Sequence, residues 1–158
     1  GWGRQWMPAL RLLQDVRHSS LQPDTVMYNA TLGACEKAMR WQDGLAMLAE
    51  MRQHFLKPDA ISYSTCARAC EHAWLWEKAG ALFACMRSHA VLPNQLALIA
   101  AIGACGKAHE WSKALAWLAH AQRLQLSGSV PLNTAAGACV SASQWALAWQ
   151  LLASRGQS

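Results

Sequence analysis

The chain is short of charge. Asp, Glu, Lys and Arg make up only 15% of its 158 residues, against roughly 25% in ordinary globular proteins. With 53% apolar residues, this excludes intrinsic disorder, which goes with low hydrophobicity and high charge. A membrane span is missing too. The longest uncharged stretch, between Arg123 and Arg155, carries Gln, Ser, Asn and Pro throughout. The truly apolar Leu96–Gly106 falls short of the roughly 20 residues that a spanning helix needs. Both read as buried helix in a soluble protein, so no membrane partner is expected. There is no secretory signal and no initiator Met; the chain opens Gly-Trp-Gly-Arg. We expect a piece of a longer protein, with any targeting segment outside it.

The groupings that carry catalysis are also missing. The nine acids are dispersed, with Asp24 and Asp59 in loops and Glu50 and Glu77 on helix surfaces. No Gly-rich phosphate loop, nucleophile elbow or paired-carboxylate constellation is present. The six cysteines include no Cys-x-x-Cys pair and no clear tetrahedral set, so neither a metal nor a cofactor is expected. Nothing alternates with period two for long enough to suggest a sheet. The expectation is a non-enzyme, and any catalytic domain would lie outside this chain. A net charge of +5 allows a polyanionic partner without demanding one.

What is present is a repeat. Cys35, Cys70, Cys105 and Cys139 are spaced 35, 35 and 34 residues apart, and Trp6, Trp41, Trp76, Trp111 and Trp145 keep the same step. The strings GACEKAMRW, RACEHAWLW, GACGKAHEW and GACVSASQW fall in one register. Loop signals at Gln22-Pro23-Asp24, Lys57-Pro58-Asp59 and Leu92-Pro93-Asn94 divide the chain, proline stopping one helix and Asp or Asn capping the next. The divisions are a partial unit 1–24 (second helix and loop), units 25–59 and 60–94, a degenerate unit 95–128 and a partial unit 129–158.

Each unit reads as two helices. Tyr28, Leu32 and Cys35 recur at i, i+4, i+7 and make one apolar face. Trp41, Leu45, Leu48 and Met51 do the same for the second helix. One such pair cannot bury its faces alone, so the units must stack. The fold class is all-α, a right-handed α-solenoid superhelix of 34–35-residue helix-turn-helix repeats. Both ends cut through the array without a polar capping helix, and this exposed apolar surface predicts self-association of the piece.

Period and signature then choose among helical repeats. VMYNATLGACEKAMRWQDGLAMLAEMRQHFLKPD, residues 26–59, resembles a pentatricopeptide repeat almost throughout, with its early Tyr-Asn pair and its loop Pro-Asp. The resemblance spans essentially the whole chain and is strongest in 25–94. It implies single-stranded RNA as partner, one base per repeat. A polar residue near the start of the first helix and the last residue of the unit would read the base edge. Here these are Asn29 with Asp59, favouring uracil, and Ser64 with Asn94, favouring adenine. Asn133 is a third reader, while Ile99 with Gly128 offers no side-chain hydrogen bond to a base. Val26, Ile61, Leu96 and Val130 occupy the positions that sandwich bases. The resemblance also implies a mitochondrion or chloroplast, and a role in RNA processing, stability, editing or translation.

The residues themselves add a groove. Asn29, Gly33 and Lys37 lie four apart, as do Ser64, Arg68 and His72, and Ile99, Gly103 and Lys107. Phosphate contacts from Lys37, Arg68 and Lys107 would give salt-dependent, sequence-blind affinity. Each reading has a plain competitor. Asn29, Ser64 and Asn133 could be bonded locally, and Asp59 and Asn94 could simply cap. The basic residues could form a solvated face, and the four aliphatics could be packing residues. The tryptophans at unit spacing fit packing between units; Trp74, Trp117 and Trp149 fall outside the register. Four cysteines share one small buried slot, and reduced thiols fit an intracellular compartment. The alternative function is a protein-binding scaffold that uses the same face for a peptide or partner helix.

Overall fold

The computed structural model describes residues 6–19, 22–124 and 129–153. Among them are nine helices and no strand: α1 (Trp6–His18), α2 (Thr25–Lys37), α3 (Trp41–Gln53), α4 (Ala60–His72), α5 (Trp76–Ser88), α6 (Gln95–Lys107), α7 (Trp111–Arg123), α8 (Ser129–Ser141) and α9 (Trp145–Ala153). None is long and apolar enough to cross a membrane. Ser127-Gly128, at the end of the degenerate unit 95–128, lies outside the described residues.

The helices form two layers. The first helices of successive units stack directly, α2 on α4, α4 on α6 and α6 on α8. Each second helix packs on its own first helix and on the next one, as α3 does on α2 and α4. A first helix is therefore covered on several sides, and α6 shows the consequence. Ala97, Leu98, Ala100, Ala101, Ile102, Ala104, Cys105 and Gly106 are all buried, so the apolar run at 96–106 is a central solenoid helix. The core continues through Tyr28, Leu32 and Cys35 of α2 and Tyr63, Ala67 and Cys70 of α4.

Local chemistry sets the helix ends. Asp24, Asp59 and Asn94 have extended backbones, and their side chains accept from the backbone N–H groups of Met27, Ser62 and Ala97 at 2.8, 2.8 and 2.9 Å. These caps satisfy donors that the first turn leaves open. The opposite ends close by a reversal without glycine. Arg40 N–H donates to Cys35 O at 2.8 Å and Met39 N–H to Glu36 O at 3.0 Å, the bond pair of a Schellman motif. Met39 sits at φ 57°, and Trp74, His109 and Ser143 repeat the left-handed turn at the equivalent places. Phe55 and Ala90 do the same after the second helices. Trp74 thus belongs to the turn between α4 and α5, which is why it falls outside the helical register and is exposed.

Candidate nucleic-acid interface

The face built by the starts of the first helices carries the sequence-predicted readers. In the first complete unit, α2 presents Asn29 and the following loop presents Asp59. The Asn29 Nδ2 donates to both Asp59 carboxylate oxygens, at 3.3 and 3.2 Å. Ser62 completes the group: its hydroxyl donates to Asn29 Oδ1 at 2.6 Å and accepts from the Asp59 N–H at 3.2 Å. The carboxylate can only accept, so the amide nitrogen must face it, and the orientation of Asn29 follows. Burial works to raise the Asp59 pKa, but donation from Ser62, Asn29 and the Ile61 N–H outweighs it, and the carboxyl lies below its ordinary value.

The second unit is arranged differently. Ser64 is buried, and its hydroxyl donates to Ala60 O at 2.7 Å, one turn back. Asn94 accepts from Ala97 N–H as the cap of α6. The Ser64 hydroxyl and the Asn94 side-chain oxygen thus serve separate backbone partners. Farther along, Ile99 is half-buried and Asn133 is exposed on α8. Gly128 lies outside the described residues.

Beside these positions runs a row of exposed aliphatics. Val26, Ile61, Leu96 and Val130 are 73%, 59%, 51% and 50% exposed, so core packing does not account for them. Each lies three residues before Asn29, Ser64, Ile99 and Asn133 respectively, almost one helical turn.

The basic residues are tied into the stack. Arg68 Nη2 lies 3.0 Å from Glu36 Oε1, and Lys107 Nζ lies 3.1 Å from Glu71 Oε1. Each pair joins one first helix to the next. A Cβ at Gly103 would lie 2.6 Å from Glu71 Oε1, so this glycine makes room for the second pair. Lys37 is exposed in the last turn of α2. Glu36 and Glu71 escaped the sequence reading, although both directly follow a repeated cysteine.

The thiols and the indoles lie elsewhere. Burial pushes Cys35, Cys70 and Cys105 up to about 11, which keeps them protonated and unreactive at neutral pH. Cys66 is raised as well, also by burial, and its thiol donates to Gly44 O. No group of three metal-ligating side chains occurs among the described residues. On the outer layer, Arg40 lies over Trp6 at 4.3 Å, Lys78 over Trp41 at 5.4 Å and Lys113 over Trp76 at 5.9 Å. These tryptophans link one second helix to the next.

Residues 23–72 match the PPR repeat family, and residues 61–91 match the PPR repeat. The crystal structure of maize pentatricopeptide repeat protein PPR10 is 27% identical, with a TM-score of 0.71 over 84% of this chain and 19% of that one. PPR10 in complex with an 18-nt psaJ RNA element, again 27% identical, gives 0.78 over 96% of this chain and 22% of that one. The present chain thus spans about a fifth of the length of PPR10. The PPR domain of Arabidopsis thaliana protein-only RNase P 1, in complex with tRNA, shares the fold at 18% identity, with a TM-score of 0.78 over 92% of this chain and 79% of that one. No curated protein matches the chain in sequence.

Proposed function

Because the chain is a pentatricopeptide repeat protein, we propose that it binds single-stranded RNA along the first-helix face, one base to each repeat. The observation that carries this reading is the pairing of Asn29 with Asp59 beside the exposed aliphatic row. An amide held by Asp59 and Ser62 keeps one N–H and one oxygen lone pair for a ligand. That donor–acceptor pair complements the N3–H and a carbonyl of uracil. Val26 and Ile61 would hold the base between them. Such repeats, presenting two or three side chains to each base, make a readable code.

The second unit would discriminate less. Ser64 has one proton, already given to Ala60 O, which leaves adenine reading mainly to Asn94. Asn133 would read a further base from α8. Phosphates would meet Lys37, Arg68 and Lys107, the last two after exchanging Glu36 and Glu71 for the nucleic acid. The cellular setting proposed is a mitochondrion or chloroplast, with the array contributing to RNA processing, stability, editing or translation rather than to catalysis. Two units that keep both reading positions would specify at most two bases, so target choice would need a longer array or a partner.

The test is fluorescence anisotropy with labelled single-stranded RNAs that differ only at the two bases facing units 25–59 and 60–94. Preference for U then A, changed by Asn29→Thr with Asp59→Asn, is the expected result. Absence of RNA binding at low salt by the folded protein would overturn the reading and favour a scaffold for a peptide or partner helix. Sedimentation should accompany it, to establish the oligomeric state of the protein that binds.

A further inference from the structure

On the opposite, outer layer, a cavity of about 300 Å³ opens between α5 and α7. Phe83 and Trp117 line it, and Arg87, Lys113, His120 and Arg123 surround them. The rings form one edge-to-face cluster, with Phe83 and Trp117 centroids 5.0 Å apart and Trp117 and His120 5.9 Å apart. The Arg87 guanidinium reaches His120 Nε2 at 3.5 Å. No acid lines this cavity.

The repeat supplies an internal control. The same place between α1 and α3 is lined by Asp43, Met47 and Glu50, the counterparts of Lys113, Trp117 and His120. One unit later the corresponding residues are Lys78, Leu82 and Cys85. The step from α5 to α7 is the one that gathers an indole and four basic side chains. It also makes room for the indole. A Cβ at Gly80 would lie 2.9 Å from Trp117 Cζ2, whereas Leu10 and Leu45 occupy the equivalent positions in the units before. Packing alone would be served by the leucine pair Leu45 and Leu82. The change to glycine and tryptophan instead leaves an aromatic wall facing a cavity rimmed by positive charge.

We propose that this cavity binds a nucleoside phosphate, with the base against Trp117 and the phosphate held by Arg87 and Arg123. Its size is at the lower end of that of small-molecule sites, and guanidinium groups match phosphate oxygens with paired donors. The ligand would be either a free nucleotide or the phosphorylated end of an RNA. The site is separate from the first-helix face and does not depend on RNA being read there.

Selective ¹⁵N-indole labelling gives the readout, with the Trp117 resonance assigned from Trp117→Phe. Adenosine 5′-monophosphate, a 5′-phosphorylated oligoribonucleotide, inorganic phosphate and a polyglutamate peptide are titrated separately. A saturable millimolar-range shift of Trp117 with the nucleotide or the phosphorylated oligonucleotide, lost in Arg87→Glu/Arg123→Glu, supports the proposal, and the arm that responds identifies the source. Gly80→Leu/Trp117→Leu, which recreates the packing of the preceding unit, should stay folded and lose at least tenfold in nucleotide affinity by calorimetry. An unmoved Trp117, equal binding of phosphate or polyglutamate, or full affinity in the leucine pair would each overturn it.

Discussion

The Asn29 amide donates to the Asp59 carboxylate at 3.2 Å, joining the fifth residue of α2 to the cap of α4. One carboxylate therefore starts a helix and orients Asn29, the residue proposed to meet a base. Capping the helix and holding Asn29 are not competing roles here, because Asp59 caps through Oδ1 while Asn29 bridges both oxygens. Replacing Asp59 by Ala should cost about 1 kcal/mol as a lost N-cap, seen in urea unfolding, and should also weaken uracil preference. Replacing Asp24 should cost similar stability with no change in preference.

The same carboxyl makes stability pH-dependent. Its pKa in the folded chain lies below the ordinary 3.8. The contribution is thus present above 3.8 and fades as pH falls through the lower folded value. Asp59→Asn should flatten that part of the stability profile, measured by thermal unfolding between neutral and strongly acidic pH.

Two tyrosines at one repeat position should respond in opposite ways. Tyr28 OH donates to Glu50 at 2.9 Å. In the next unit Cys85 stands where Glu50 would be, and the buried Tyr63 hydroxyl has no hydrogen-bond partner among the described residues. Tyr28→Phe should destabilise by about 1 kcal/mol, while Tyr63→Phe should be neutral or stabilising by a similar amount. Chemical denaturation of both variants checks this.

The glycine-free helix reversals leave stability to be gained. Ala90 holds φ 55°, a region that costs a non-glycine residue roughly 1–2 kcal/mol. Ala90→Gly should therefore raise stability by about 0.5–1 kcal/mol after the extra chain entropy of glycine is subtracted. Ala81→Gly on the exposed side of α5 should lower it by about 1 kcal/mol.

Ion pairing of Arg68 and Lys107 with Glu36 and Glu71 tempers the basic groove. Glu36→Gln with Glu71→Gln should strengthen RNA binding several-fold at low salt and steepen its salt dependence. Stability should change by less than about 1 kcal/mol for each exposed pair.

The fold was legible because its period is written on rare residues. Cysteine is tolerated where two first helices pack closely, and tryptophan where one second helix meets the next, so both mark the step. Helix ends were legible through Asp24, Asp59 and Asn94, whose side chains act within three residues. What escaped depends on partners a unit away. Ser62 joins the Asn29–Asp59 pair only once α4 lies against α2. Glu36 finds Arg68 across the stack. Trp117 is explained by an absent side chain at Gly80, and Trp74 by a backbone angle, neither of which leaves a periodic trace.

The most direct measurement is anisotropy of the folded protein with RNAs that vary only at the base facing Asn29 and Asp59. A preference for uracil that Asn29→Thr with Asp59→Asn moves to another base is expected. Equal affinity for all four bases, unchanged by that substitution, would contradict base reading by this pair and reduce the groove to a basic surface.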